Sequence, residues 1–512
     1  MKRRTAGACG ALAAACLVAA SIAGCGPRPQ PVFLFADSTA VRLEAGRKDS
    51  APDPGLDPAC EDLHAHARET GSLALLLEAA ESHGCEVARS DLGFRLLLRG
   101  SRARGSALLN DVNDQVMNRF ERAAHRARLA FLALGEDSLR AAVGLLERDY
   151  AGRFETLLIR SAADLRAGRL REAREGFEEG AILRPADPLP LVLLGESAFR
   201  DGFFGAASDA FRRALALDPR DPLAPIGLAS ILYSEGLLLE AEGLLARAPV
   251  PNPHGVEGTR PYFLHRAAEA NLRFADGKFR IAREVLARAR NEAYRLGDEE
   301  SLIDLTVRRF HVFLEEEATD SAAAELSELR FREAVRRVRP EGPAAVPYYE
   351  GLLGAFRDDY GAVTAKRLEL VTIPGADAFL ADLIEGIFEA RRGLGGEAAI
   401  PLRRALRRGE SALARHYLGR ASIARARWGD AIANLEWVVN RGESLLDSPL
   451  LLPLSYYYLG RAFEERGDRL DAELAYREFL HSWRDADAHR AEVSHARAYL
   501  RIKSPVGERE NR

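Results

Sequence analysis

Two histidines near the start of the helical part of the chain are the first residues whose types could hold a metal ion. His64 and His66 stand in "CEDLHAHARE", beside Glu61 and Asp62. Two positions apart on a helix, the two imidazoles point to different sides, whereas a zinc site needs ligands that converge on one point. The spacing therefore indicates a solvated helix start, and we predict no metal site in this chain.

Two glycine-containing stretches share parts of motifs that carry catalysis or bind phosphate. "GESAF" at Gly195 has the beginning of the G-x-S-x-G turn that exposes a nucleophilic serine, but the second glycine is missing. "DGKF" at Gly277 has a glycine and a lysine, but Phe279 follows the lysine and the rest of a phosphate-binding loop is absent. A packing role in a structural repeat explains both stretches better, so we predict no catalytic residue and no cofactor.

The N-terminal segment, up to position 25, contains the one modification site that the sequence indicates. Three cations at positions 2–4 precede an uncharged, mostly apolar run that is short for a membrane span, as is typical of a secretory signal. The run ends in "IAGC", which resembles the lipobox of bacterial lipoproteins. The resemblance implies removal of residues 1–24, lipid on Cys25, and an extracytoplasmic location. Because Gly26 is not aspartate, it also implies the outer membrane, facing the periplasm. An ordinary cleaved signal with a chance cysteine is the alternative.

The remaining cysteines fit an oxidising compartment. Cys9 and Cys16 lie inside the leader, so the mature chain would keep Cys60 and Cys85 besides the lipidated residue. Two cysteines in an extracytoplasmic protein are candidates for a disulfide. Two free, buried thiols are the alternative, because spacing alone does not decide the pairing.

The elements that must position these residues are predicted to be helices throughout. The chain is rich in Ala, Leu, Arg and Glu, which are good helix formers, and runs of alternating β-branched residues are almost absent. The formal net charge is −4, so the chain has no overall attraction for nucleic acid. Two basic runs, 336–339 and 403–408, are interpreted as solvated helix faces balanced by nearby carboxylates. We therefore predict an all-α protein that binds no nucleic acid.

A regular repeat organises the middle of the chain. Gly168, Gly202 and Gly236 are evenly spaced, and an alanine, a bulky apolar residue and a proline follow each of them at the same offsets. This pattern resembles the tetratricopeptide repeat, whose unit is two antiparallel helices in about 34 residues, and the best copy spans 188–221. One hairpin cannot bury its apolar faces alone, so neighbouring hairpins stack. The resemblance implies an α-solenoid that winds into a right-handed superhelix.

Looser copies of the repeat extend towards the C-terminus, and they set the predicted division of the chain. We predict a signal peptide at 1–24, a proline-rich tether at 25–57, an N-terminal helical region at 58–150, three tetratricopeptide repeats at 151–253, a similar repeat at 254–297, degenerate helical repeats at 298–375, three further repeats at 376–485, and a capping helix and tail at 486–512.

In the family that the chain resembles, the first helix of each repeat lines a concave groove that accepts a peptide. The positions carried over to the best three repeats are Leu158, Leu165, Leu189, Val192, Glu196, Phe199, Arg200, Leu223, Ile226 and Tyr233. These residues are mostly apolar, which suits an amphipathic helix or an apolar strand. We expect about half of them to face the groove and the rest to pack between repeats.

The sequence therefore indicates a non-catalytic, lipid-anchored scaffold that binds a protein or peptide partner in the bacterial envelope. One alternative is an accessory subunit of an envelope enzyme or of an assembly or secretion machine, with its activity in residues 58–150. Another is a glycan-binding lipoprotein, which would need clustered exposed aromatic rings. The candidates for such a cluster are Tyr348, Tyr349, Tyr360 and the run Tyr456–Tyr458.

Overall fold

The computed structural model describes residues 58–132, 136–255, 259–330, 335, 342–373, 378–440, 450–483, 486 and 490–503. The predicted leader, Cys25 and the tether lie outside these residues. The described part contains 25 α-helices and no strand. The helices are α1 Pro58–Thr70, α2 Leu73–Ser82, α3 Glu86–Leu98, α4 Arg102–Asn110, α5 Arg119–Leu132, α6 Glu136–Tyr150, α7 Phe154–Arg166, α8 Leu170–Leu183, α9 Pro188–Arg200, α10 Phe204–Leu217, α11 Ala224–Ser234, α12 Leu238–Arg247, α13 Arg260–Ala275, α14 Phe279–Leu296, α15 Glu299–Glu315, α16 Thr319–Arg330, α17 Ala345–Phe356, α18 Tyr360–Thr372, α19 Ala378–Arg391, α20 Gly395–Arg408, α21 Ala412–Ala424, α22 Trp428–Val439, α23 Leu451–Arg466, α24 Arg469–Ser482 and α25 Ala491–Lys503.

From α7 onwards the helices form consecutive hairpins. In each hairpin the odd-numbered helix, here called the A helix, packs on the even-numbered B helix that follows it. The A helices of most successive hairpins also pack side by side, whereas the described B helices do not pack on one another in this way. The A helices therefore form the inner layer of a curved array, and the prediction of an all-α solenoid is confirmed. None of the described helices combines the length and the apolar character that crossing a bilayer requires.

The sequence repeat has a packing cause that recurs along the array. A Cβ added to Gly195 of α9 would lie 2.7 Å from the Phe211 ring of α10, and one added to Gly227 of α11 would lie 2.3 Å from the same ring. Gly419 and Gly460 face a bulky B-helix side chain in the same way, Leu435 and Tyr476 respectively. A residue without a side chain is therefore needed on the A helix wherever a large B-helix side chain enters the space between hairpins.

The N-terminal helices lie across the starts of several A helices. Arg95, in α3, pairs with Asp187 just before α9, and Arg99 pairs one turn later with Asp221 just before α11, with N–O distances of 2.7 and 2.9 Å. The backbone N–H groups of Arg102 and Ala103, at the start of α4, donate to the Glu300 carboxylate in the first turn of α15. Residues 95–103 therefore bring three A-helix starts together.

The C-terminal part of the chain is joined to the ends of two earlier A helices. The Trp483 side chain follows α24, is fully buried, and donates from Nε1 to the carbonyl oxygen of Ala275 at 2.9 Å. Arg490 donates from Nη1 to the carbonyl oxygen of Glu315 at 2.7 Å. Buried apolar side chains of α11–α15 and of α22–α25 form one continuous cluster. The solenoid therefore closes on itself between α13–α15 and the last hairpin.

Candidate functional site

The predicted groove residues fall into a buried group and a group with exposed surface. Six of the ten predicted groove residues are at most 4% exposed. They are Leu158, Leu189, Val192, Phe199, Ile226 and Tyr233. They belong to apolar clusters inside and between hairpins, such as the one that Phe199 forms with Phe211. These side chains stabilise the fold and are not available to a partner in this conformation.

The other four predicted groove residues keep some exposed surface. Leu165 and Leu223 are partly buried, and Leu223 packs against two of the apolar clusters. Glu196 and Arg200 lie one turn apart on α9, and Arg200 donates to the Glu196 carboxylate at 2.5 Å. The predicted groove therefore has no open apolar floor, because these remaining side chains are dispersed around its buried positions.

The cysteine and histidine predictions have separate outcomes. Cys60 and Cys85 are joined as a disulfide with a Cα–Cα distance of 5.5 Å, which ties α1 to the residue before α3. His64 is buried rather than solvated, and its burial lowers its pKa to about 4, while His66 is exposed. Within the described residues no three His, Cys, Asp or Glu side chains are grouped as metal ligands.

A network of buried charges joins the N-terminal helices to the first hairpins, and sequence reasoning missed it. Asp187 accepts two hydrogen bonds from Arg95, and Asp91 accepts one from Arg128 at 3.2 Å. Glu155, in the first turn of α7, accepts hydrogen bonds from two further arginines. The members are Arg68, Asp91, Arg95, Glu121, Arg128, Glu155, Arg184 and Asp187, so four cations face four anions. The balance explains how this many charges are tolerated in the interior.

Two carboxylates of this network titrate in opposite directions, which is the pattern of an acid–base pair. Burial raises the pKa of Glu121. Burial would also raise the pKa of Glu155, but its arginine partners outweigh that effect and lower the pKa to about 2. Both side chains are buried, and both pair with Arg68. A substrate has no path to them in this conformation, so the arrangement holds helices together.

The aromatic residues suggested for glycan binding do not form an exposed platform. Tyr348 and Tyr349 are at most 7% exposed, and Tyr457 is 6% exposed. Tyr360 is 64% exposed, but it lies at the start of a B helix, on the outer layer. Stacking on a sugar ring needs neighbouring exposed rings, and these residues do not provide them.

Side chains of two neighbouring A helices meet in the C-terminal half of the array. Arg420 of α21 lies between two aromatic rings, 4.9 Å from the centroid of Tyr417 and 4.7 Å from that of Tyr458 on α23. We call Tyr417, Arg420 and Tyr458 the Arg420 site.

The rings of the Arg420 site are held in position by buried neighbours. His416 is 2% exposed, and its Nδ1 lies 2.8 Å from Ser455 Oγ in a hydrogen bond that links α21 to α23. The His416 ring also contacts Tyr417 and Tyr458 edge-on, at centroid distances of 5.4 and 5.5 Å. Burial lowers the pKa of His416 well below its usual range, so this spacer is uncharged at neutral pH. The site is thus rigid and adds no second cation.

Comparisons with known proteins bear on architecture alone. The sequence matches no protein-family model and no curated protein. Among solved structures, the chain is similar to a Rap protein complexed with competence and sporulation factor, at 13% identity and a TM-score of 0.43, covering 63% of this chain and 97% of that one. It is also similar to a tetratricopeptide repeat protein from Parabacteroides merdae, at 13% identity and a TM-score of 0.25, covering 68% of this chain and 98% of that one. A third similar structure is yeast Tom70, at 14% identity and a TM-score of 0.39, covering 82% of this chain and 97% of that one.

Proposed function

We propose that this chain is a non-catalytic scaffold that binds a protein or peptide partner on the inner surface formed by its A helices. The observation that carries the proposal is the side-by-side packing of successive A helices into one layer, on which Arg420 of α21 lies between the rings of Tyr417 and Tyr458. Stacked helical hairpins build extended surfaces of this kind, which suit a peptide segment or a helix.

The proposed location is the extracytoplasmic face of a bacterial outer membrane, towards the periplasm, with the chain held there by lipid on Cys25. The leader and its "IAGC" end support this location, and so does the bond between Cys60 and Cys85, because such bonds persist in oxidising compartments. Each buried methylene of an acyl chain contributes about 0.8 kcal/mol, so several chains hold a protein durably at a membrane surface.

The anchor is tested by metabolic labelling with radioactive palmitate, followed by membrane fractionation. Wild type should be labelled and should sediment with membranes, whereas Cys25→Ser should be unlabelled and should keep its leader or be released. Cys60→Ser serves as the matched control, because it changes a cysteine outside the leader and should keep the label. Equal labelling of wild type and Cys25→Ser would show that lipid is not attached at this residue.

The partner surface is tested by photo-cross-linking in intact cells. A photoreactive residue replaces Glu315 on the inner layer in one variant and Leu239 on the outer layer in a second variant. Leu239 is 73% exposed on B helix α12, so it is the more accessible of the two positions. We expect a defined protein adduct from position 315 and none from position 239. Adducts from position 239 alone, or from neither position, would contradict binding on the inner surface.

A further inference from the structure

A small cavity lies between α12 and α13, at the junction where successive hairpins of the array pack least closely. The connection from Arg247 to Arg260 is longer than the one between the preceding hairpins, which runs from Leu217 to Ala224. Among the described helices of the array, α12 also packs less closely on α13 than any other B helix packs on the A helix that follows it. This junction leaves a cavity of about 140 Å3.

The inner wall of the cavity consists of apolar side chains and one imidazole. Leu245 of α12 and Leu272 of α13 line it and are at most 3% exposed. His265 of α13 also lines it and is 4% exposed. Its ring has neither a hydrogen bond nor an ion pair to any described residue. Because buried polar side chains normally have a hydrogen-bond partner, this imidazole can offer its nitrogens to a molecule that enters the cavity.

The charges around the cavity favour a neutral ligand. Burial and the neighbouring Arg266 lower the pKa of His265, so its ring is uncharged at neutral pH and has one donor and one acceptor nitrogen. At the mouth, Arg266 pairs with Glu269 at 2.9 Å. Beside them Arg273 pairs with Glu242, which joins α13 to α12. Since both cations are paired, a charged ligand would lose its hydration without gaining an unpaired opposite charge.

The size of the cavity and its single imidazole limit the ligand further. An apolar protein cavity of about 150 Å3 accommodates one benzene molecule. Leu245 and Leu272 can contact the carbon atoms of such a ring, and one hydroxyl group on the ring can form a hydrogen bond with His265. A firmly held water molecule needs two to four polar partners, and the other charged groups around this cavity are already paired.

We propose that the cavity between α12 and α13 binds a small neutral molecule that has the size of one ring and carries one hydroxyl group, with His265 as its hydrogen-bond partner. Phenols and cyclic alcohols share this chemistry, and binding measurements distinguish them. A bound ring would add contacts between α12 and α13 at the junction that has the fewest of its own. The inference does not depend on the proposed scaffold function, because it concerns this cavity and not the layer of A helices.

The test measures the binding of four small probes to the purified full chain by ligand-observed NMR titration. The probes are phenol, cyclohexanol, benzene and benzoate. Wild type should bind phenol or cyclohexanol saturably and about fivefold more tightly than benzene, as expected for one additional hydrogen bond. Benzoate should bind more weakly than either alcohol, because its charge would have to be desolvated. The tighter of the two alcohols identifies the kind of ring that the cavity prefers.

Two variants decide whether the probes occupy this cavity. His265→Leu should bind the preferred alcohol no more tightly than benzene, because it removes the hydrogen-bond partner and keeps an apolar wall. Ala246→Phe should abolish binding of every probe, because Ala246 lines the cavity and is exposed, so a larger side chain can fill the space without entering the core. Ala216→Phe is the matched control, because Ala216 is an exposed alanine on B helix α10 that does not line the cavity. Circular dichroism of each variant separates loss of binding from loss of fold.

Four results would overturn the inference. Wild type could show no saturable binding of either alcohol, as expected if water alone fills the cavity. Benzene or benzoate could bind as tightly as the alcohols, or His265→Leu could keep the preference for a hydroxyl group. Finally, Ala246→Phe could bind like Ala216→Phe, which would place the probes elsewhere on the chain. A protein adduct at position 315 tests the scaffold function alone, so the two proposals can fail separately.

Discussion

The pairing of Arg95 with Asp187 predicts a large, local loss of stability when one charge is removed. Asp187 is fully buried, receives two hydrogen bonds from Arg95, and also accepts from the backbone N–H of Leu189 as the N-cap of α9. Asp187→Asn keeps one oxygen for the cap but replaces the other with an NH2 donor, so it removes the negative charge together with one hydrogen bond from Arg95. Asp187→Ala removes both interactions. The two variants therefore separate the ion pair from the cap.

The expected magnitude follows from the burial of both partners. Removing one member of a buried pair costs about 3–5 kcal/mol, because the other charge is left without compensation. Asp91 lies 3.4 Å from Arg95 Nε and offsets part of this cost. We therefore expect about 3 kcal/mol for Asp187→Asn, and about 1 kcal/mol more for Asp187→Ala, in which the cap is also lost.

The assay is urea unfolding followed by circular dichroism, with hydrogen exchange to locate the change. Exchange should become faster in α3 and α9, which the pair joins, and should change less in α21–α24. Asp149→Asn is the control, because Asp149 forms an exposed pair with Arg148 and should have no measurable effect. An Asp187→Asn variant as stable as this control would refute the view that buried charges dock the N-terminal helices onto the hairpins.

Three further perturbations test the packing, the disulfide and the buried histidines. Gly195→Ala should destabilise the chain by about 1–3 kcal/mol in urea unfolding, because its methyl group would enter the Phe211 ring; unchanged stability would contradict this packing. Cys60→Ser should cost roughly 3 kcal/mol, because it opens a crosslink between residues 25 positions apart, and reducing agent should then have no further effect. Burial lowers the pKa of His64 and His125 from 6.5 to about 4. The stability they contribute is therefore complete above pH 6.5 and lost as pH falls towards 4, by roughly 3 kcal/mol for His64. A His64→Gln variant with the same pH dependence as wild type would contradict this.

Much of the architecture could be predicted from local pattern. The repeat places Gly195 opposite Phe211, and the structure shows that contact, because the packing between an A helix and its own B helix is decided within one repeat. Each hairpin forms from residues that are close in sequence. The periodic pattern of glycine and apolar residues is therefore enough to predict it.

The location of the candidate site could not be predicted in the same way. The repeat resemblance placed a groove on Leu189, Phe199 and Tyr233, but all three are buried in apolar clusters inside and between hairpins. Arg95 meets Asp187 across 92 residues, and Trp483 meets Ala275 across 208 residues. The repeat period predicts how each hairpin packs on the next hairpin. It does not predict contacts between hairpins that are far apart in the sequence.

The sequence by itself determined the helical class, the repeat and the small residues between helices, because each follows from interactions within one repeat or between adjacent repeats. Only the tertiary structure decided which of the predicted inner positions are buried. The hydrogen bond from Arg490 to the Glu315 carbonyl joins the last helices to the end of α15, and Arg420 lies between the rings of Tyr417 and Tyr458 on two A helices. Whether an arginine is paired depends on every segment that folds against it, and that is a property of the whole chain.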